Sequence, residues 1–292
     1  MRLKKKGKPY KLPTEMREPL TDPGQSTGLI HGEIKIGKTT FIGQLPECFI
    51  LATEPGTKGL RVFDEQVGTW GKMRRIVKAL EEEPSRFRTV AIDTADEAYK
   101  QCLEYVCDNL GIDYPGKDAG GKEDYGRSWN AVRREFTSVV NRIVRTGRGV
   151  WFTSHSIVET IEPLSGASFD RIVPSMGKQA RETINALVDM VFYACFVREV
   201  ETGRSIRVLF CEGNETVVAG HRETPGAFPP FLPLLREGMW RVLTQAFNGE
   251  HPGIDPDSIM IGRTTPAPAQ SVLRDAKRGA KGEARRKEVR RR

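Results

Sequence analysis

Residues 27–40 read Thr27-Gly28-Leu29-Ile30-His31-Gly32-Glu33-Ile34-Lys35-Ile36-Gly37-Lys38-Thr39-Thr40. An apolar strand, Thr27 to His31, runs straight into the spacing G-x-x-x-x-G-K-[ST], and a helix is expected from Thr39. Glycines at both ends of the loop let the backbone curl until successive N–H groups face one point, which suits phosphate oxygens. The dipole of the following helix favours the same negative charge. Lys38 is placed to bridge β- and γ-phosphates, and the Thr39 hydroxyl to join a magnesium shell. Lys35, inside the loop, reaches a phosphate or is simply solvated.

Outward from this loop, apolar runs alternate with amphipathic stretches. Strands are predicted at 27–31, 48–53, 89–94, 150–154, 191–198 and 206–211, and helices at 39–44, 70–83, 95–110, 129–146 and 179–187. The first four strands are apolar throughout, as when helices cover both faces of a parallel sheet. The last two are joined through Glu201-Thr202-Gly203, which predicts an antiparallel hairpin. The fold class is therefore α/β, a mostly parallel sheet flanked by helices.

Phe87-Arg88-Thr89-Val90-Ala91-Ile92-Asp93-Thr94 is an apolar strand ending in an acid. Asp93 at its tip would hold magnesium beside the phosphate loop, with capping of the helix from Ala95 as the alternative role. Asp93 is followed by Thr94 rather than Glu, which speaks against the AAA+ pattern. No Asn-Lys-x-Asp or Leu-Ser-Gly-Gly-Gln string points to a GTPase or an ABC ATPase. Phe49-Ile50-Leu51-Ala52-Thr53-Glu54 instead puts a carboxylate at the end of the strand after the loop helix, and Val150-Trp151-Phe152-Thr153-Ser154-His155 closes another strand on a histidine.

On these residues the chain resembles the RecA-like ATPases, and more narrowly the compact, core-only ones of bacteriophages associated with single-strand annealing and recombination. The resemblance covers about residues 27–235. It rests on Lys35 to Thr40, Thr53-Glu54-Pro55-Gly56, Ile92-Asp93-Thr94, and Gly177-Lys178 with Leu187-Val188-Asp189. It implies ATP and Mg2+ as ligands, with Gly32 through Thr40 binding the nucleotide and Thr39 and Asp93 serving the metal. It also implies Glu54 as the residue that activates water. His155 would sense the γ-phosphate, or be a structural histidine. Family members work as rings or filaments, so a basic residue reaching the neighbouring site is expected after the last core strand. Arg222 is the candidate, with Lys178 and Arg181 behind it. DNA-binding loops are expected at 111–127 and 156–177, where Tyr114, Tyr125 or Phe169 could stack on bases; ordinary surface loops are the alternative reading.

The net charge of +8 is unevenly placed. Residues 1–25 carry seven Lys/Arg against three Asp/Glu, residues 263–292 carry eleven against three, and the body between is left at −4. The expected organisation is a basic extended arm (1–25), an ATPase domain (26–262) and a disordered basic tail (263–292). Polybasic tails suit phosphate backbones, which favours single-stranded DNA as partner, although a tail can also be merely solvated. The five cysteines form no Cys-x-x-Cys pair and fit a reducing compartment. The longest apolar run, Ala186 to Val197, contains Asp189 and is too short to cross a bilayer. Without an apolar segment after the basic N-terminus, a cytoplasmic protein is expected, in the bacterial host if phage-encoded. The function so read is ATP hydrolysis in DNA recombination or annealing. A helicase-loader or replication ATPase acting on a phage or host protein, and a small-molecule kinase with Arg171 to Arg181 as its lid, remain alternatives.

Overall fold

The computed structural model describes residues 12–16, 18, 20, 22–83, 85–222 and 228–261. The basic tail expected over 263–292 and most of the arm expected over 1–25 lie outside these residues. The arm's end is not extended: Asp22 caps a 3-10 turn over Pro23–Gln25, and Leu20 packs on the core.

In chain order the elements are β1 (Thr27–Gly32), α1 (Lys38–Ile42), β2 (Cys48–Ala52), β3 (Phe63–Gln66), α2 (Trp70–Glu82) and β4 (Thr89–Asp93). There follow α3 (Ala95–Leu110), α4 (Arg127–Val144), β5 (Gly149–Ile161), β6 (Phe169–Pro174), α5 (Lys178–Leu187) and β7 (Met190–Glu199). The chain continues through β8 (Ser205–Phe210), β9 (Gly220–His221), β10 (Phe231–Pro233), α6 (Met239–Phe247) and β11 (Ile259–Met260). The sheet order is β10-β8-β7-β1-β5-β4-β2-β3. From β7 to β3 the strands are all parallel, and β8 turns back on β7 as the expected hairpin.

Successive residues of a strand face opposite sides of the sheet, so a strand covered on both sides must be apolar at every position. Leu29, Val90, Ile92, Val150 and Phe152 pack under α2 to α5. Their neighbours Ile30, Ala91 and Trp151 pack on the other face, with α1 and α6. The indole of Trp151 lies flat against β1: a Cβ on Gly28 would stand 2.5 Å from its ring, so only glycine fits there.

The capping chemistry also follows the sequence. Thr69 and Thr94 cap α2 and α3 with their side chains, and Gly111 ends α3 at φ +64°, a conformation in which glycine pays no Cβ penalty. All five cysteines are buried and free, as their spacing suggests. Among the described residues no helix is long and apolar enough to cross a membrane.

The segment expected as a mobile loop at 156–177 is a departure. β5 runs on to Ile161, turns at 162–168 and returns as β6, with Ser156 opposite Pro174 and Ile161 opposite Phe169. Ile157, Val158, Thr160, Ile161, Ile172 and Val173 are β-branched and stiff, which favours a paired ladder. The other expected DNA loop, 111–127, does remain outside helix and strand until α4 begins at Arg127.

Candidate functional site

Strand register assembles the site. Parallel pairing of β1 with β5 sets His155 beside Gly32, and pairing of β2 with β4 sets Ala52 beside Asp93. Two residues beyond Ala52 the chain carries Glu54, still tied to β4 by its amide on the Asp93 carbonyl (3.3 Å). The residues picked out at the ends of four separate strands thus converge at the C-terminal ends of the central strands.

The loop between β1 and α1 takes the shape its glycines allow. Gly37 caps α1 at φ +119°, and Lys35 has φ +65° with its side chain exposed. Ile36 is fully buried beneath the loop, whereas Ile34 points outward, 71% exposed. α1 is only five residues long, so the loop amides themselves matter more than a helix dipole.

Lys38 is buried, and its ammonium donates to the carbonyls of Gly32 (3.0 Å) and Glu33 (2.7 Å). Burial pushes its pKa down from 10.5 to about 8, against the pull of Asp96, Asp93 and Glu54. It also lies 3.4 Å from Nδ1 of His155, whose Nε2 is 3.3 Å from the Glu54 carboxylate. One tautomer serves both contacts: Nε2–H donates to Glu54 while Nδ1 accepts from Lys38. The other Glu54 oxygen accepts from the Thr94 hydroxyl at 3.1 Å. The hydrogen bond from His155, more than any other influence, holds the Glu54 carboxyl below its ordinary range.

Asp93 is buried at the tip of β4. One of its oxygens accepts from the Thr39 hydroxyl at 2.7 Å and the other from Thr153 on β5. Among the described residues no group of three or more His, Cys, Asp or Glu is placed to hold a metal ion. Thr39 and Asp93 nonetheless form a hydrogen-bonded pair of hard oxygen donors beside the phosphate loop. That set fits Mg2+, which keeps several waters and takes its remaining ligands from nucleotide phosphates. Capping of α3 falls to Thr94, so Asp93 is left for this role.

Asp96 is spent on structure. Its carboxylate accepts from the Ser154 hydroxyl (3.0 Å), the Ser175 hydroxyl and the His155 amide (3.1 Å), tying β5 and the base of the hairpin to α3. Thr153 was not singled out from sequence as a site-builder, and a hydroxyl inside an apolar run is the signal that could have found it. Arg222 lies elsewhere. Its amide bonds the Asp189 carbonyl and its guanidinium the Ala186 carbonyl, at the start of β7 and away from the phosphate loop. It does not enter its own site. Lys178 is exposed at the start of α5, while Arg181 is held by the Glu159 carboxylate (2.8 and 2.9 Å) and the Pro174 carbonyl.

His155→Ala should cut the link between Lys38 and Glu54. Turnover of ATP is expected to fall about 10- to 100-fold, with nucleotide affinity changed only a few-fold, because the contact serves hydrolysis more than binding. Steady-state kinetics beside a titration with a slowly hydrolysed ATP analogue would separate the two.

A search of curated proteins gives no match. Among solved structures, the chain is similar to a KaiC-like protein of the hyperthermophilic archaeon Pyrococcus horikoshii OT3, with a TM-score of 0.39 and 12% identity over 68% of this chain and 83% of that one. A family model described as "AAA domain" matches residues 25–223. The expectation drawn from Thr94 concerned only the AAA+ order of acids at the end of β4, and the chain does carry threonine there. The motif test looked for a carboxylate directly after Asp93, whereas here the carboxylate facing Lys38 and His155 arrives from the end of β2. The match spans more than half of the chain, from the turn before β1 to the end of β9, and the protein belongs to the AAA domain family.

Proposed function

We propose that this protein is a magnesium-dependent ATPase of the compact bacteriophage RecA-like type, acting on single-stranded DNA in recombination or annealing. The observation that carries the hydrolytic part is the convergence of Lys38, Thr39, Asp93, Glu54 and His155 at the C-terminal ends of the central strands. Lys38 and the loop amides would bind and neutralise the phosphates. Thr39 and Asp93 would hold Mg2+, which supplies charge neutralisation at the β- and γ-oxygens when bound. Glu54, ionised and aimed by His155 and Thr94, would orient a water and accept its proton.

The DNA part has two supports. Besides the polybasic termini, the 111–127 loop buries Asp124 and leaves Asp113, Asp118 and Glu123 exposed. Asp118 accepts from the amides of Gly120 and Lys122, and Asp124 from those of Gly126 and Ser128. Lys117, Lys122 and Arg127 stay exposed, and Tyr125 is displayed at 92% exposure. Those three cations and the tyrosine could touch a strand backbone and stack on a base without sequence preference, although the loop's formal charge is −1. In a ring or filament, Arg222 could serve a neighbouring subunit from the opposite end of the sheet.

Against the kinase alternative, Arg181 is already committed to Glu159 and Pro174. The deciding experiment is ATP hydrolysis with and without single-stranded DNA. Stimulation of tenfold or more, weakening with salt as counterion release requires, is the expected result. Equal rates with and without DNA would remove DNA from the reading, and phosphate transfer to a nucleoside would replace it with the kinase.

A further inference from the structure

Arg207 lies 171 residues from the phosphate loop in sequence, on β8 near the edge of the sheet, yet its guanidinium donates to the Ile36 carbonyl at 3.3 Å. The same nitrogen stands 3.0 Å from where a Cβ on Gly37 would be. The arginine backbone is held in turn, because its carbonyl accepts from the Leu234 amide at 3.0 Å. Among the described residues no carboxylate forms an ion pair with Arg207, so its charge is not neutralised locally.

The Ile36 carbonyl oxygen and the Gly37 N–H belong to one peptide unit. That peptide is trans, and in a trans peptide the C=O and N–H point in opposite directions. A cation drawn to the oxygen on the outside of the loop therefore turns the N–H to the inside. It also polarises the unit, which makes the N–H a stronger donor. Gly37 meets this requirement because φ +119° is closed to most side chains.

We infer that Arg207 is a positioning residue for nucleotide binding: by holding the Ile36 carbonyl, it fixes and polarises the Ile36–Gly37 peptide so that its N–H faces the bound polyphosphate. The inference rests on the ATP-binding reading above. It assigns Arg207 to the phosphate chain and gives it no contact with sugar, base or attacking water.

Arg207→Gln, Arg207→Lys and Lys38→Ala would be titrated with ADP and with inorganic tripolyphosphate. Arg207→Gln should weaken both ligands by about tenfold, the size of one charge-assisted hydrogen bond, and by the same factor for each. Arg207→Lys should recover part of the loss, since the cation is kept and the planar fork is not. KM for ATP should rise with kcat within about threefold, because the N–H bond is present in ground and transition states alike. Unchanged affinities would overturn the inference. So would a loss confined to ADP, which would put Arg207 on the sugar or base. A loss that tracks a lower melting temperature of the nucleotide-free chain and is not restored by lysine would also overturn it, as a purely structural role. Lys38→Ala reports separately: if it leaves tripolyphosphate binding intact, the phosphate-loop reading fails whatever Arg207 does.

Discussion

Lys38→Ala is expected to lower nucleotide affinity by at least about 100-fold. In the described structure this ammonium is folded onto the carbonyls of Gly32 and Glu33, buried, and close to Asp93, Asp96 and Glu54. A phosphate entering the loop gives that charge a full counter-charge in a poorly solvated place, where the attraction is far stronger than in water. Alanine removes it and leaves the acids facing the phosphates unopposed. A pH arm follows from the same geometry. With its pKa pushed down to about 8, Lys38 is charged at pH 7 and loses its proton as pH rises through 8. The affinity of the parent chain for ADP, measured in a chelator to exclude metal, should therefore decline above pH 8, by up to about tenfold per unit. The alanine variant should show no such decline. Parent-like affinity in the variant would end the phosphate-loop assignment.

Glu54→Gln should bind ATP within a few-fold of the parent yet hydrolyse it about 100- to 10,000-fold more slowly. The amide is nearly isosteric and can keep the Thr94 hydroxyl as a donor, so the geometry around β2 and β4 is preserved. What it loses is the power to accept a proton from water. Neighbouring acids cannot substitute easily: Asp96 is saturated by Ser154, Ser175 and His155, and Glu97 is paired with Lys100 at 2.8 Å. Single-turnover hydrolysis beside an equilibrium titration checks both halves. Retained turnover would move the general base away from β2.

The parts of this site that were legible in the sequence sit at strand ends next to short motifs. Gly32 to Thr39, Asp93, Glu54 and His155 each follow an apolar run, and parallel pairing brings the C-terminal ends of such runs together. The double-sided core was legible for the same reason. β3 was not, because Phe63–Gln66 has all four residues exposed and becomes a strand only through its register with β2. The hairpin of β5 and β6 was missed where strand propensity outlasted the core. α6 was overlooked although Met239, Val242, Leu243, Ala246 and Phe247 mark one helical face, a readable period hidden behind a proline-rich approach. Arg207 could not have been found at all. An arginine on β8 carries no local mark of the loop it touches, and only the folded sheet joins them.

The five buried thiols have a practical consequence. Burial raises the pKa of every one, to about 12 for Cys48 and Cys195, so thiolate is scarce and reagents meet little of it at neutral pH. The native surface is thus chemically quiet toward maleimides. A single cysteine introduced at exposed Ser165, on the turn between β5 and β6, would report on that hairpin through a fluorophore or spin label without first stripping the protein of its own cysteines.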